Sequence, residues 1–139
     1  MPEPPITGHC LCGAVSFEID APLGPASYCH CTRCQRRTGT AASAQARLAP
    51  GSLRIVAGAE LVREYLPVDG GFGKQFCSSC GSALFSRDPA SSDPFSVRLG
   101  VLDGDPGVRP SHRQFVAYAA PWEPIPDDGL TRHDESAIK

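Results

Sequence analysis

Seven cysteines gathered into three tight clusters constrain this chain more than any other feature. They read Cys10-Leu11-Cys12, Cys29-His30-Cys31-Thr32-Arg33-Cys34 and Cys77-Ser78-Ser79-Cys80. Cys-x-Cys and Cys-x-x-Cys are chelating spacings, because one tight turn can aim both sulfurs at a single ion. The odd count would leave one thiol over in a closed disulfide framework, and the βαβ setting of a thioredoxin-type dithiol is absent. The clusters therefore predict zinc binding.

Seven thiols divide as four plus three. Cys10, Cys12, Cys77 and Cys80 would complete a tetrahedral structural site and clip the start of the chain to its middle. Cys29, Cys31 and Cys34 would then hold a second zinc with its fourth position open, as catalytic sites do. Spacing leaves an alternative, in which Cys31 and Cys34 join Cys77 and Cys80 in a zinc ribbon. The first division is preferred because it uses every cysteine and gives one complete site.

The rest of the chain reads as many short strands. Val15, Phe17 and Ile19 alternate with Ser16, Glu18 and Asp20, the period of a half-buried strand. Ser27-Tyr28 form a short strand presenting the central cluster. Gln35 to Thr38 make one helical turn or a loop closed by Gly39. The alanine-rich stretch 40–48 suggests helix by propensity, yet its shortness favours a strand. Further strands are expected at Leu53–Val56, Leu61–Leu66, on both sides of the Cys77–Cys80 turn, at Phe95–Val101 and at Phe115–Tyr118. Residues 1 to 8 form a loose lead-in, and the segment from Pro121-Trp122 onward ends in a loose tail. Frequent Gly and Pro and no long amphipathic helix indicate an all-β single domain spanning residues 1–139, with its core at about 6–128.

The 139 residues suffice for one hydrophobic core. A formal net charge of −2 gives no general attraction to nucleic acid, and no apolar run approaches the roughly 18 residues of a membrane span. The start, Met1-Pro2-Glu3-Pro4-Pro5, lacks the regions of a signal peptide, so a cytoplasmic location with reduced thiols is expected.

The chain resembles the glutathione-dependent formaldehyde-activating enzyme family, which also includes centromere protein V. The resemblance rests on Gly8-His9-Cys10-Leu11-Cys12-Gly13-Ala14-Val15, Cys29-His30-Cys31-Thr32-Arg33-Cys34-Gln35, Thr38-Gly39 and Phe76-Cys77-Ser78-Ser79-Cys80-Gly81-Ser82. Gly100-Val101-Leu102-Asp103-Gly104 and Ala120-Pro121-Trp122 extend it over about residues 6 to 128. It implies a β-tent fold of stacked antiparallel sheets. It also implies the four-plus-three division of zinc ligands, with Cys29, Cys31 and Cys34 catalytic. Departures from the family pattern are Leu11 inside the first pair, His112-Arg113-Gln114 before a strand, and Ala119 ahead of the Pro-Trp.

Zinc on three thiolates has a net charge of −1 and is a modest Lewis acid, better suited to holding a substrate thiol as its thiolate. The resemblance implies addition of a small thiol such as glutathione to a small aldehyde such as formaldehyde, a carbon–sulfur lyase reaction written in reverse. Arg33, Arg36 and Arg37 beside the cluster are candidate anchors for substrate carboxylates. His30, lying between two ligands, is expected to point away, and His9 to be structural or exposed. His112 is a candidate neighbour of the site, and Trp122 reads as a core plug. The competing class is a non-catalytic zinc module that binds a partner.

Overall fold

The computed structural model describes residues 5 to 137. Eleven strands follow in chain order: β1 (Ile6–His9), β2 (Ser16–Ile19), β3 (Ala26–Cys29), β4 (Ser43–Arg47), β5 (Leu53–Ala57), β6 (Val62–Tyr65), β7 (Gly73–Cys77), β8 (Ala83–Arg87), β9 (Pro94–Arg98), β10 (Pro110–Gln114) and β11 (Thr131–Arg132). One short helix, α1 (Thr32–Thr38), lies between β3 and β4. The strands form two open sheets, a three-stranded one ordered β1-β2-β5 and an eight-stranded one ordered β11-β10-β3-β4-β9-β8-β7-β6.

The core lies where the small sheet covers one face of the large one. From β2, Phe17 and Ile19 are buried, as the alternation predicts. The Phe17 ring meets Phe85 edge-on with centroids 5.1 Å apart. Across the large sheet, the registers Ala26↔Ala46, Ala46↔Val97 and Val97↔Phe85 set four fully buried side chains in one row. Each such side chain withdrawn from water contributes about 25 cal/mol per Å² of apolar surface. Close approach of the sheets explains Gly8: a Cβ there would overlap the Phe17 ring and lie 2.5 Å from the Val101 carbonyl oxygen.

The neighbouring row faces the opposite way, because side chains alternate along a strand. Ser27↔Gln45↔Arg98 and Arg47↔Ser96↔Ser86 are register partners, and all six line a cavity on the far face. The large sheet is thus apolar on one side and polar on the other, and the cavity lies on the polar side.

Several expectations are corrected. The large sheet is mixed, since β10 runs parallel to both β3 and β11. A two-residue turn cannot connect parallel neighbours, so β10 reaches β3 only after most of the chain has been laid down. The lead-in contains a true strand, β1, because Ile6 and Gly8 have partners in Ile19 and Phe17. The strand expected at Phe115–Tyr118 lies earlier, at β10. Phe115 takes a left-handed conformation (φ 57°), and Val116–Tyr118 form a 3-10 turn. Beyond residue 128, the tail docks through β11 and through the Phe115 N–H donating to the Glu135 carbonyl at 3.0 Å. Trp122 is 65% exposed and plugs no core. No helix among the described residues is long and apolar enough to cross a membrane.

Candidate metal centre and active-site cavity

The structure brings the seven cysteines together as two groups. In each, the sulfurs lie within 4.8 Å of one another: Cys10, Cys12, Cys77 and Cys80 in one, and Cys29, Cys31 and Cys34 in the other. Thiolates around a tetrahedral zinc lie about 3.8 Å apart, given a Zn–S bond of roughly 2.3 Å. The donor sets therefore fit such an ion in size and chemistry. Cys77 and Cys80 join the N-terminal pair, not Cys31 and Cys34 as in the zinc-ribbon alternative.

The four-thiol group is built from two turns. Cys10 and Cys12 follow β1, with their sulfurs 3.6 Å apart, and the Val15 N–H donates to Cys10 Sγ at 3.3 Å. Cys77 ends β7, and the Gly81 N–H donates to its carbonyl at 2.7 Å. Gly81 takes a left-handed φ of 82°, which closes this turn at no steric cost. Ser82 Oγ joins the two turns, accepting from the Leu11 N–H at 2.9 Å and lying 3.3 Å from Cys80 Sγ. Cys10 and Cys77 are inaccessible to solvent.

The three-thiol group sits at the junction of β3 and α1. Cys29 closes the strand, and Cys31 is the N-cap of the helix, its sulfur accepting from the Cys34 N–H at 3.3 Å. Capping and any metal ligation would thus use the same sulfur. Gly39 ends the helix with a left-handed φ of 70°. Gln35 fixes the loop from behind, donating to the His30 carbonyl at 2.8 Å and the Tyr118 carbonyl at 2.9 Å. The thiols titrate together. Hydrogen bonds from Cys29 and Cys31, then from Ser43, with the charge of Arg98, hold Cys34 down at about 2. In turn, hydrogen bonds from Cys31 and Cys34 push Cys29 far up.

A cavity of about 380 Å³ opens on these three sulfurs. Its walls carry Arg33, Arg47, Lys74 and Arg98, with Phe72 and Phe95 as apolar surface. The two rings meet edge-on at 4.7 Å, and the Arg47 guanidinium lies 4.6 Å from the Phe95 ring centroid. Burial pushes the Lys74 ammonium down, while the nearby cysteine charges oppose that shift. His112 also lines the cavity, with Nδ1 3.1 Å from Ser111 Oγ. Burial and then the charge of His133 lower its basicity, so its ring is neutral near pH 7.

Of the three arginines singled out in the sequence, only Arg33 faces the cavity. It donates to the Gly70 carbonyl and to Asp69, each at 2.6 Å. Arg36 is exposed on the helix and lines no part of the cavity. Arg37 turns toward β7, donating to the Gln75 carbonyl at 3.2 Å and lying over the Phe76 ring. His30 does point away: it is buried on the reverse face with Nε2 3.1 Å from Arg113, which in turn binds Asp128 at 2.7 Å. His9 is exposed and lies 2.9 Å from Asp103.

Arg47, Lys74 and Arg98 were not anticipated from sequence. The signal was present for two of them. Arg98 shares a face with Ser96 while Val97 is buried between them, and Arg47 shares a face with Gln45 around Ala46.

Fold and sulfur clusters together define a β-sheet protein with two separate groups of thiols, each able to hold a metal ion, one of them lining a cavity. The sequence profile of the family "Glutathione-dependent formaldehyde-activating enzyme" matches residues 5–118. The chain belongs to this family. It is 34% identical over 105 residues to a Halomonas elongata protein provisionally named as a glutathione-dependent formaldehyde-activating enzyme, covering 72% of this chain and 67% of that protein. It is also similar to the crystal structure of a Rhodobacter sphaeroides protein, with a TM-score of 0.57 and 28% identity, covering 91% of this chain and 98% of the other.

Proposed function

We propose that the protein is a zinc-dependent carbon–sulfur lyase-like enzyme that adds a small thiol such as glutathione to a small aldehyde such as formaldehyde. The observation that carries this reading is the three-thiol cluster at the floor of a cavity large enough for a small organic molecule. Cys29, Cys31 and Cys34 would hold a catalytic zinc, while Cys10, Cys12, Cys77 and Cys80 would hold a structural one. When bound at three thiolates, zinc supplies positive charge and an open coordination position, which favours the ionised form of a thiol.

The chain's own residues supply the rest. In the net reaction the thiol loses its S–H proton, an S–C bond forms, and the carbonyl oxygen takes up a proton. His112, neutral and facing the cavity, is the imidazole placed to accept the first proton and return the second. Arg33, with Lys74, Arg47 and Arg98, anchors carboxylates of the thiol substrate. Phe72 and Phe95 form an apolar wall that limits water at the reacting carbon. Two thiol-based metal sites require reduced cysteines, which accords with a cytoplasmic location.

The test is NMR exchange spectroscopy of glutathione and formaldehyde with zinc-loaded protein. Acceleration over the spontaneous reaction is expected, with about two zinc ions per chain by metal analysis. A rate equal to the spontaneous one for every thiol tried would remove the lyase reading and leave a non-catalytic zinc module.

A further inference from the structure

Charge on the cavity wall bears on which thiols can enter. Arg33, Arg47, Lys74 and Arg98 line the cavity, and among the described residues no carboxylate does. The chain as a whole has more acids than bases, 15 against 13, so this wall is not a sample of the average surface. Asp69 at the rim neutralises Arg33. Among the described residues, the other three cations have no carboxylate partner. Arg98, only 8% exposed, donates to the neutral amide oxygen of Gln45 at 2.7 Å, and its buried Nε meets no acceptor. Arg47 rests on the Phe95 ring, and Lys74 forms no ion pair.

A divalent ion on three thiolates carries one net negative charge and offsets one of these cations. The remaining positive charge is partly buried, and burying charge without a counter-ion is costly. Carboxylates on an incoming molecule would relieve that cost. An ammonium would meet like charge and find no carboxylate on the wall to receive it.

We infer that the cavity selects thiols that carry carboxylates and no free ammonium group. This rests on the thiol-addition reading and narrows it. Glutathione satisfies the first condition and fails the second, since its γ-glutamyl end bears an ammonium. Blocking that amine would make it a better ligand.

The experiment is calorimetric titration of the zinc-loaded protein with glutathione, N-acetylglutathione, mercaptosuccinate and cysteamine, with exchange rates measured by NMR on the same samples. N-acetylglutathione is expected to bind about tenfold more tightly than glutathione. Mercaptosuccinate is expected to bind, and cysteamine not to. Lys74→Gln, a half-buried position that tolerates a neutral side chain, should weaken mercaptosuccinate and narrow the gap between the two glutathione forms. Arg98→Gln should do the same if it folds. The inference is overturned if glutathione binds as tightly as its acetylated form, if cysteamine rivals mercaptosuccinate, or if no thiol binds. The expected binding order without any acceleration would sink the lyase reading and leave the selectivity standing. Acceleration with the order reversed would do the opposite.

Discussion

The two sulfur clusters use the same ligand in opposite ways. The four-thiol group draws two turns from distant parts of the chain into one place, and its innermost members, Cys10 and Cys77, see no solvent. The three-thiol group comes from six consecutive residues and faces a cavity. With an ion bound, the first would act on the whole chain, since it would close a long loop that the unfolded state must otherwise explore. The second would tie only neighbouring residues, so losing its ion would return little entropy to the unfolded chain. The contrast shows that an ion's effect on folding depends on what its ligands connect, and its chemical use on whether its shell is filled.

The largest expected effects form a crossed pair. Cys77→Ser should unfold the chain, because the metal's contribution to such sites is about 10 kcal/mol, comparable to the whole stability of a domain. Cys31→Ser should leave the melting temperature nearly unchanged and abolish thiol–aldehyde exchange. Serine preserves the N-cap to the Cys34 N–H that the native sulfur supplies. Equal loss of structure in both, followed by circular dichroism, would erase the distinction between the clusters.

The next effect is smaller. Gly8→Ala forces a Cβ against Phe17 and the Val101 carbonyl, and overpacking of this kind costs about 1–3 kcal/mol. Chemical denaturation should show that loss, while the exchange rate of the folded fraction stays unchanged. Cys31→Ala, compared with Cys31→Ser, isolates the cap from the metal and should cost about 1 kcal/mol more.

The smallest effect concerns the edge of the large sheet next to the four-thiol group. Arg87 grips Glu64 through two hydrogen bonds of 2.7 Å, and this holds the Glu64 carboxyl below its usual range. A depressed carboxylate stabilises the fold above its unfolded pKa and loses that contribution as pH falls through the folded value. Glu64→Gln should therefore cost about 1 kcal/mol near neutrality. The difference from the native chain should fade in acid. A constant difference at all pH values would mean that packing, not charge, accounts for it.

Much of this was legible in the sequence, for identifiable reasons. The cysteine spacings are local and carry their chemistry with them, so the four-plus-three grouping could be preferred, though spacing also left open a ribbon of Cys31 and Cys34 with Cys77 and Cys80. Strands β2, β4 and β5 were also legible, from strict alternation or from length and turn signals. Missed were features set by distant partners. Strand β1 looked like a Pro-rich lead-in because its only apolar signal is Ile6, while its pairing depends on β2. Phe115 and Val116 appeared to continue a strand, but the Phe115 N–H bonds to the tail at Glu135 and the chain turns. The cavity cations were invisible for the same reason. Lys74 and Arg98 lie on strands separated by β8, and only sheet order places them on one wall.

The parallel pairing of β3 with β10 has a consequence in time. Cys29 is the register partner of Gln114, and the His30 N–H donates to the Gln114 carbonyl. The thiol loop is synthesised before the strand that flanks it, with β4 to β9 made in between. At roughly 5–20 residues per second, its thiols wait several seconds without their neighbour. During that interval three closely spaced cysteines are open to oxidation or to capture of the wrong metal. A nascent chain paused before residue 110 should show these thiols reacting with alkylating reagents faster than in the finished protein.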